Sequence, residues 1–331
     1  MDVHPDSMLG PYRVVRLLGK GGMGVVYEAE HVQLRVRRAL KVLARSGAAD
    51  LRGRFLAEGR LLARLDHPRL VRVHDLGVEA DAGLVWFAMD LVLDATGRPR
   101  TLEDLRRGGA VSEADAAGWF ADLCAALAYV HGMGVAHRDV KLENALVGPD
   151  GRVVLSDFGI SRILDPDLRN AAGLSATATF AGPASLRPLL GTLGYLAPEV
   201  KAGAPATPAS DLYALGVLMF RLLTGLWYEP GTDALALLEP FELAWEDVLV
   251  PLLSEDPAAR TLPAAPPAPK TAAPARSRLL RVGLPVAAAA LAALAGAAVW
   301  WRGRSRSAPA EDTFEALFAT PPGYGSWEDG R

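Results

Sequence analysis

The stretch VAHRDVKLENALV, residues 135–147, constrains this chain more than any other part of its sequence. After the strand-like run RVVLS it is followed by Asp157-Phe158-Gly159. The oxygens of Asp157 and Asn144 are hard ligands of the kind that Mg²⁺ prefers, and Asp139 is then free to orient a hydroxyl group. Two acidic groups and an amide at this spacing therefore indicate metal-assisted phosphoryl transfer. If these were unrelated surface loops, the spacings would have to coincide by chance.

A second motif, LLGKGGMGVVYEAE at residues 17–30, places glycines at positions 19, 21 and 24. This spacing fits a dinucleotide-binding fold, in which a helix follows the glycines. It also fits a hairpin whose glycine amides approach phosphates with no Cβ in the way. The β-branched and aromatic residues after Gly24 favour the hairpin. A nicotinamide-dependent oxidoreductase and an ordinary glycine-rich hairpin are the alternatives.

Hydrophobic periodicity predicts the elements around these motifs. Strands are predicted at YRVVRLLG, GVVYEAEHV, RRALKVLA and GLVWFAMDLV, and helices at FLAEGRLLARL and from Ser112 to His131. A sheet-rich part followed by a helix-rich part predicts an α+β fold with two lobes and a cleft between them. Lys41 lies within an apolar strand and needs an anionic partner, for which the next helix offers Glu58. A lysine on the solvent face is the alternative.

Composition indicates how the 331 residues are organised. Half of them are hydrophobic, which predicts a packed core, and the net charge of −3 gives no indication of nucleic acid binding. The single cysteine, Cys124, lies in an apolar run and permits no internal disulfide. The predicted parts are a leader (1–10), a folded domain (11–262, with lobes of about 11–92 and 93–262), a Pro/Ala-rich basic linker (263–281), an apolar segment (282–301) and a tail (302–331).

The apolar segment, Val282 to Trp301, contains 20 residues without a charge. This is about the length that crosses a bilayer as a helix. Trp300 and Trp301 suit a membrane interface. The sequence thus predicts one transmembrane helix, and a buried soluble helix is the alternative because the segment is rich in alanine.

Taken together, the motifs resemble the eukaryotic-type protein kinases, specifically the Ser/Thr kinases found in bacteria. They occur in the order of that family over residues ~12–262. The matching segments are Gly19-x-Gly21-x-x-Gly24-x-Val26, Ala39-Leu40-Lys41, Glu58, HRDVKLEN, DFG, GTLGYLAPE, Asp211–Gly216 and Asp256–Arg260. The resemblance implies a two-lobed protein-kinase-like fold, with a small β-rich N-lobe and a helical C-lobe, that uses ATP with Mg²⁺ or Mn²⁺.

The resemblance also implies a role for each matched residue. Lys41, paired to Glu58, would hold the α- and β-phosphates. Asp139 would align the acceptor hydroxyl and take its proton, and Lys141 would steady the γ-phosphoryl group. Asn144 and Asp157 would bind the metal. The residues implied to line the nucleotide site are Gly19, Lys20, Gly21, Gly22, Gly24, Val26, Ala39, Lys41, Met89, Asp90 and Val92.

The resemblance to the kinase family also implies which residues take part in regulation and which stabilise the fold. Arg138, directly before Asp139, is typical of kinases in which a phosphate orders the activation segment. Glu199 and Arg260 would form a buried structural ion pair. The candidate regulatory hydroxyls between Asp157 and Glu199 are Ser175, Thr177, Thr179, Ser185 and Thr192.

These features predict a membrane-anchored Ser/Thr protein kinase that phosphorylates protein hydroxyls, its own activation segment included. Since ATP is cytosolic, the kinase domain is expected on the cytoplasmic side of the inner membrane, with the tail outside. Expected partners are ATP, protein substrates, the bilayer and a second copy for trans-autophosphorylation, but not nucleic acid. One alternative is a kinase-like scaffold without catalysis, but the presence of Lys41, Asp139 and Asp157 disfavours it. Another is a small-molecule kinase, but the segment GTLGYLAPE favours a protein substrate.

Overall fold

A computed structural model describes residues 3–21, 24–44, 59, 62–79, 83–109, 111–158, 193–241, 243–263 and 267. The chain divides into two compact units, Met1–Ala275 and Arg276–Arg331, and the described residues belong to the first. The predicted transmembrane segment and tail lie outside the described residues. Within the described ranges, no helix is both long enough and apolar enough to cross a membrane.

Six antiparallel strands form one sheet in the order β1-β2-β3-β4-β6-β5. The strands are β1 (Met8–Leu9), β2 (Tyr12–Gly21), β3 (Gly24–His31), β4 (Arg37–Ala44), β5 (Val73–Glu79) and β6 (Leu84–Met89). The four predicted strands are confirmed. Strand β5 was not predicted, because a glycine and charged residues in this segment do not favour a strand. Glycine is required at position 77 because an added Cβ would lie 2.1 Å from the Trp86 ring.

Strand alternation gives the six-stranded sheet two apolar faces, because successive side chains point to opposite sides. On β4, Leu40 and Val42 join one buried cluster together with Tyr12 and Trp86. Ala39 points the other way, into a second cluster. Lys41 is two residues further along and so shares the side of Ala39, which places the predicted catalytic lysine on that face.

Helices dominate the rest of the described chain. The helices are α1 (Leu102–Arg107), α2 (Glu113–Gly132), α3 (Pro198–Lys201), α4 (Pro208–Thr224), α5 (Ala234–Leu238) and α6 (Glu246–Leu252). A two-stranded sheet of β7 (Ala145–Val147) and β8 (Val153–Leu155) follows a 3₁₀ turn at Leu142–Asn144. The predicted start of α2 is confirmed, since the Ser112 side chain accepts a hydrogen bond from the Asp115 amide.

Helix α4 is the centre of this helical part. Thirteen of its residues are buried, and both α2 and α6 pack against it. It begins with a capping box between Thr207 and Ser210 and ends at Gly225, which has φ +76°. Such a helix is a rigid support for any loop that is attached to its first turn. Of the predicted helix at residues 55–65, the structure describes Gly59 and 62–65, and Leu62 and Leu65 are buried in the core.

Candidate active site

The loop between α2 and the 3₁₀ turn brings three of the predicted residues together. The Asp139 carboxylate, 6% exposed, accepts a hydrogen bond from Lys141 Nζ at 2.7 Å. The Asn144 side-chain amide donates to the same Asp139 oxygen at 2.9 Å and to the Asp139 backbone carbonyl at 2.8 Å. Two donors on one carboxylate oxygen fix the direction of the carboxylate. A carboxylate held in this way is suited to accept a proton from a hydroxyl group.

This loop is held in place by Asp211 of α4, to which the sequence had assigned no role. The Asp211 carboxylate accepts hydrogen bonds from the backbone amides of His137 at 2.7 Å and Arg138 at 2.8 Å. It also lies 2.9 Å from His131 Nε2. Arg138 has φ +72°, a strained conformation that persists only where surrounding contacts enforce it. Asp211 thus positions this loop, the predicted catalytic loop, and its place in the matched segment Asp211–Gly216 was the available signal.

Asp157 follows β8 and reaches Lys41 across the cleft. Lys41 Nζ lies 2.7 Å from Asp157 Oδ1, and both side chains are partly buried. Asp157 has φ +59°, so the chain turns sharply at this residue. The predicted partner of Lys41, Glu58, lies outside the described residues. In the structure, Lys41 therefore pairs directly with Asp157.

His137 connects the two acidic positions. It is fully buried, and its ring packs on Phe158 with 4.4 Å between centroids. Burial lowers the pKa of His137, while the charges of Asp211, Asp139 and Asp157 act on it in the opposite direction. The Asp139 amide donates to His137 Nδ1 at 3.4 Å, and Phe158, on which the ring packs, directly follows Asp157, so His137 links the two acidic positions. The lowered pKa keeps this imidazole neutral at pH 7.

The glycine motif forms a hairpin, as the sequence predicted. Strands β2 and β3 pair in antiparallel register from Tyr12↔His31 to Gly21↔Gly24, and strand β3 begins at Gly24. A dinucleotide-binding fold would open a helix there, so the oxidoreductase alternative is wrong. Gly24 has φ +153°, and an added Cβ would lie 2.5 Å from the Val42 carbonyl oxygen. Lys20 is exposed on this hairpin, and Gly22 lies outside the described residues.

An apolar cluster lies between the six-stranded sheet and β7–β8. Its buried members, Ala39, Val71 and Met89, contact a set of partly buried side chains: Leu18, Val26, Leu91, Val92, Leu146 and Val154. Clefts of this kind, apolar with polar groups at one end, are typical of small-molecule sites. Val26, Ala39, Met89 and Val92 were predicted here. Leu18, Leu146 and Val154 were missed, although each lies within three residues of a predicted site residue.

Asp90 lies at the edge of this apolar cluster, where β6 ends. Its amide donates to the Arg72 carbonyl oxygen at 3.0 Å, and its carboxylate accepts from the Arg72 amide at 3.2 Å. His74 Nε2 lies 2.6 Å from the same carboxylate. The segment of residues 90–92, which we call the hinge, therefore begins at a residue that is fixed to Arg72 and to His74 of β5. Its side chain faces these partners, which leaves backbone groups of the hinge to meet a base.

The residues around Asn144 and Asp157 fit a magnesium ion. Because the Asn144 amide nitrogen is engaged by Asp139, the amide oxygen remains for a cation. Within the described ranges, no three His, Cys, Asp or Glu side chains converge as a metal site. An amide oxygen and a carboxylate suit Mg²⁺, which is commonly bound through one or two protein ligands plus substrate phosphates. Asn144 and Asp157 would hold the ion.

The predicted ion pair of Glu199 and Arg260 is confirmed. Arg260 Nη1 and Nη2 donate to the two carboxylate oxygens of Glu199 at 2.6 and 2.9 Å. The remaining guanidinium donors reach the carbonyl oxygens of Ser254, Ala209 and Glu255. All five donors of a buried guanidinium are thereby satisfied. The regulatory candidates Ser175, Thr177, Thr179, Ser185 and Thr192 lie outside the described residues, while Arg138 is exposed beside Asp139.

A β-rich lobe with a glycine hairpin and a lysine strand, a helical lobe with the catalytic loop, and a cleft between them define a protein kinase. The family described as protein kinase domain matches residues 12–237. The chain belongs to the protein kinase family, with the bacterial Ser/Thr kinases as relatives. The described residues thus confirm the predicted two-lobed α+β fold.

Named relatives and solved structures agree with this. The Ser/Thr-protein kinase PknJ of Mycobacterium tuberculosis is 40% identical over 230 residues, which are 68% of this chain and 36% of the relative. PknA of the same organism is 36% identical over 69% of this chain and 50% of the relative. The M. tuberculosis PknI kinase domain superposes with a TM-score of 0.59 and 28% identity, covering 79% of this chain and 94% of that domain. The chain spans about a third of PknJ and half of PknA.

The exposed glycine at the start of the hairpin gives a test of the nucleotide site. A Cβ on Gly19 would meet nothing within 4 Å, so Gly19→Val costs the fold little. If the hairpin covers phosphates, the added side chain weakens charge-assisted contacts, and we expect the KM for ATP to rise about tenfold. Gly118→Val, also into open space but on α2, is the matched control and leaves the KM unchanged. Equal KM values for both variants would remove the hairpin from the nucleotide site.

Proposed function

We propose that this protein transfers the γ-phosphoryl group of ATP to Ser and Thr hydroxyls of proteins, its own activation segment included. The observation that carries the proposal is the arrangement at Asp139, whose carboxylate is fixed by Lys141 and Asn144 at 2.7 and 2.9 Å. A fixed carboxylate can orient an acceptor hydroxyl and take its proton as the new P–O bond forms.

The neighbouring residues supply the remaining roles. Lys141 is placed to stabilise negative charge on the transferred group, because its ammonium lies beside the base. Lys41 would exchange its contact with Asp157 for the phosphates of the nucleotide. Magnesium, when bound by Asn144 and Asp157, neutralises charge on the phosphate oxygens. The apolar cluster around Ala39 and Met89 would receive the adenine base.

Two sequence features support a protein hydroxyl of the Ser/Thr kind as acceptor. A lysine two residues after Asp139, here Lys141, together with Thr192, is typical of Ser/Thr kinases rather than of tyrosine kinases. The segment GTLGYLAPE resembles the part of protein kinases that receives a polypeptide. Relatives that carry the name Ser/Thr-protein kinase, at 36–40% identity, support the same assignment.

The test is phosphoryl transfer by the full chain. The purified protein is incubated with γ-labelled ATP and Mg²⁺, with and without a generic protein substrate, beside Lys41→Met. We expect label in phosphoserine and phosphothreonine for the wild type and a large loss for the variant. ATP binding without label in any protein would identify a kinase-like scaffold instead. Label only in a small-molecule acceptor would identify a kinase of another substrate class.

We also propose that residues 282–301 anchor the protein in the inner membrane, with the kinase domain in the cytoplasm. The support is the run of 20 uncharged residues with Trp300 and Trp301 at one end. The kinase domain needs cytosolic ATP, which sets the orientation. We expect the full chain in the membrane fraction after alkaline extraction, and Ala288→Arg with Ala292→Arg in the soluble fraction. An unaltered distribution of that double variant would contradict a membrane span.

A further inference from the structure

Three arginines surround one buried glutamate in the helical lobe, close to Gly194 and Tyr195. We call Arg106, Arg107 and Arg221 the arginine cluster. Arg106 donates to both oxygens of Glu103 at 2.7 and 2.8 Å, and Arg107 Nε donates at 2.8 Å. Arg221 Nη2 reaches the same carboxylate from α4 at 3.4 Å. Glu103 is 3% exposed, so one carboxylate holds three cations around a buried point.

The charge of this cluster is not balanced locally. Burial would raise the pKa of Glu103, but hydrogen bonds and charges from the arginines lower it to about 2, so it is fully ionised. The nearby Asp104 carboxylate is engaged by Thr101 at the start of α1. Glu143 is close enough for its charge to act on Arg106. Among the described residues, the three arginines thus face two carboxylates, that of Glu103 directly and that of Glu143 at longer range.

The cluster adjoins the segment that leads from the activation region to Glu199. The Arg221 guanidinium lies 3.5 Å from the centroid of the Trp227 ring, which is 40% exposed. The same ring contacts Tyr195 edge-on at 5.2 Å, and Gly194 packs so closely that an added Cβ would lie 2.5 Å from it. Tyr195 in turn lines a pocket together with Asp139. Trp227 and Tyr195 therefore link the arginine cluster to the pocket that Asp139 lines.

Two observations indicate that the cluster has capacity for another anion. Arg221 is 9% exposed, and among the described residues its Nε–H has no hydrogen-bond acceptor. A buried donor without an acceptor is costly, and a carboxylate would supply one. The Arg107 side chain is 69% exposed while its Nε is bound to Glu103, so the rest of its guanidinium faces solvent. Planar guanidinium groups match carboxylates in two-point contacts.

We infer that the arginine cluster, with Trp227, binds an acidic side chain of the protein substrate and so sets a preference for acceptors in acidic sequences. This inference rests on the proposed kinase function. It assigns a specificity-determining role to residues for which that function alone requires none. The positive surplus and the link to the pocket that Asp139 lines favour an acidic peptide over a basic one.

The test uses the full chain and peptides with one acceptor threonine. A single Glu is moved through the positions on either side of the threonine, and each peptide is compared with its Gln counterpart. We expect kcat/KM to favour Glu by about five- to tenfold at one or two positions, and this preference to weaken with salt. In the double variant Arg106→Gln/Arg107→Gln the Glu-to-Gln ratio falls towards one. Arg13→Gln, a similar change on the exposed side of β2, keeps the wild-type ratio.

Peptide binding separates failure of this inference from failure of the kinase function. Fluorescence anisotropy of the labelled peptides measures the same Glu-to-Gln ratio without any phosphoryl transfer. If transfer is absent but the Glu peptide binds more tightly in an arginine-dependent manner, the kinase function fails and the acidic site stands. Efficient transfer with equal use of both peptides would overturn the acidic site. A preference that survives in the double variant, or one that only phosphorylated peptides show, would overturn it as well.

Discussion

Asp139→Asn is expected to lower kcat for phosphoryl transfer by about a thousandfold. The substitution preserves the size of the side chain, but it removes the negative charge that accepts the hydroxyl proton. It also replaces a carboxylate that holds Lys141 at 2.7 Å, so the position of the ammonium is less well defined. The measurement is single-turnover transfer of labelled phosphate from ATP to a protein acceptor.

Nucleotide affinity is the control for this variant. Asp139 lies in the catalytic loop rather than in the apolar cluster of Ala39 and Met89, so binding of a fluorescent ATP analogue stays close to the wild-type value. The wild type should also phosphorylate the Asp139→Asn chain in trans, which tests the expected encounter between two copies. Retention of more than a tenth of the wild-type kcat would remove Asp139 from its proposed role.

Arg260→Met is expected to lower the free energy of unfolding by about 3–5 kcal/mol. The side chain of Arg260 is fully buried, and it makes five hydrogen bonds, two of them to Glu199. Removing it leaves the Glu199 carboxylate and three carbonyl groups without their donor in a buried site. The measurement is the urea unfolding midpoint of the full chain, monitored by tryptophan fluorescence, to which the buried Trp245 contributes.

An exposed ion pair is the matched control for Arg260→Met. Arg72 and Asp66 pair at 2.9 Å, but their side chains are 46% and 68% exposed. We therefore expect Arg72→Gln to cost less than about 1 kcal/mol, because solvent screens such pairs. If the two variants lowered stability equally, the buried pair would not be a principal support of the helical lobe.

Local sequence pattern was sufficient for most of the strands and for the start of α2. Alternating apolar residues predicted β2, β3, β4 and β6, and the Ser-x-x-Asp signal at Ser112 predicted the first turn of α2. These features depend on neighbours within a few residues, which is why they can be read along the chain. Strand β5 was missed because Gly77 does not favour a strand by itself, and the close approach of Trp86, which leaves no room for a Cβ there, is a tertiary contact.

The candidate site was predicted residue by residue, and the structure brings much of it together. Asp139, Lys141 and Asn144 form one hydrogen-bonded group, and Lys41 meets Asp157. The proposed pairing of Lys41 with Glu58 stays a prediction. Which residues hold the loop in place was not predictable, because Asp211 lies 73 and 74 residues from the amides that it binds.

The sequence alone determined the family, the order of the motifs and the chemical type of each predicted site residue. These depend on residue identity and on short spacings, which survive without knowledge of the fold. Tertiary structure alone decided that Asp211 supports the catalytic loop, that Leu146 and Val154 face Ala39 across the cleft, and that three arginines from α1 and α4 meet at Glu103. Each of these depends on contacts between distant segments, whose geometry arises from the packing of both lobes.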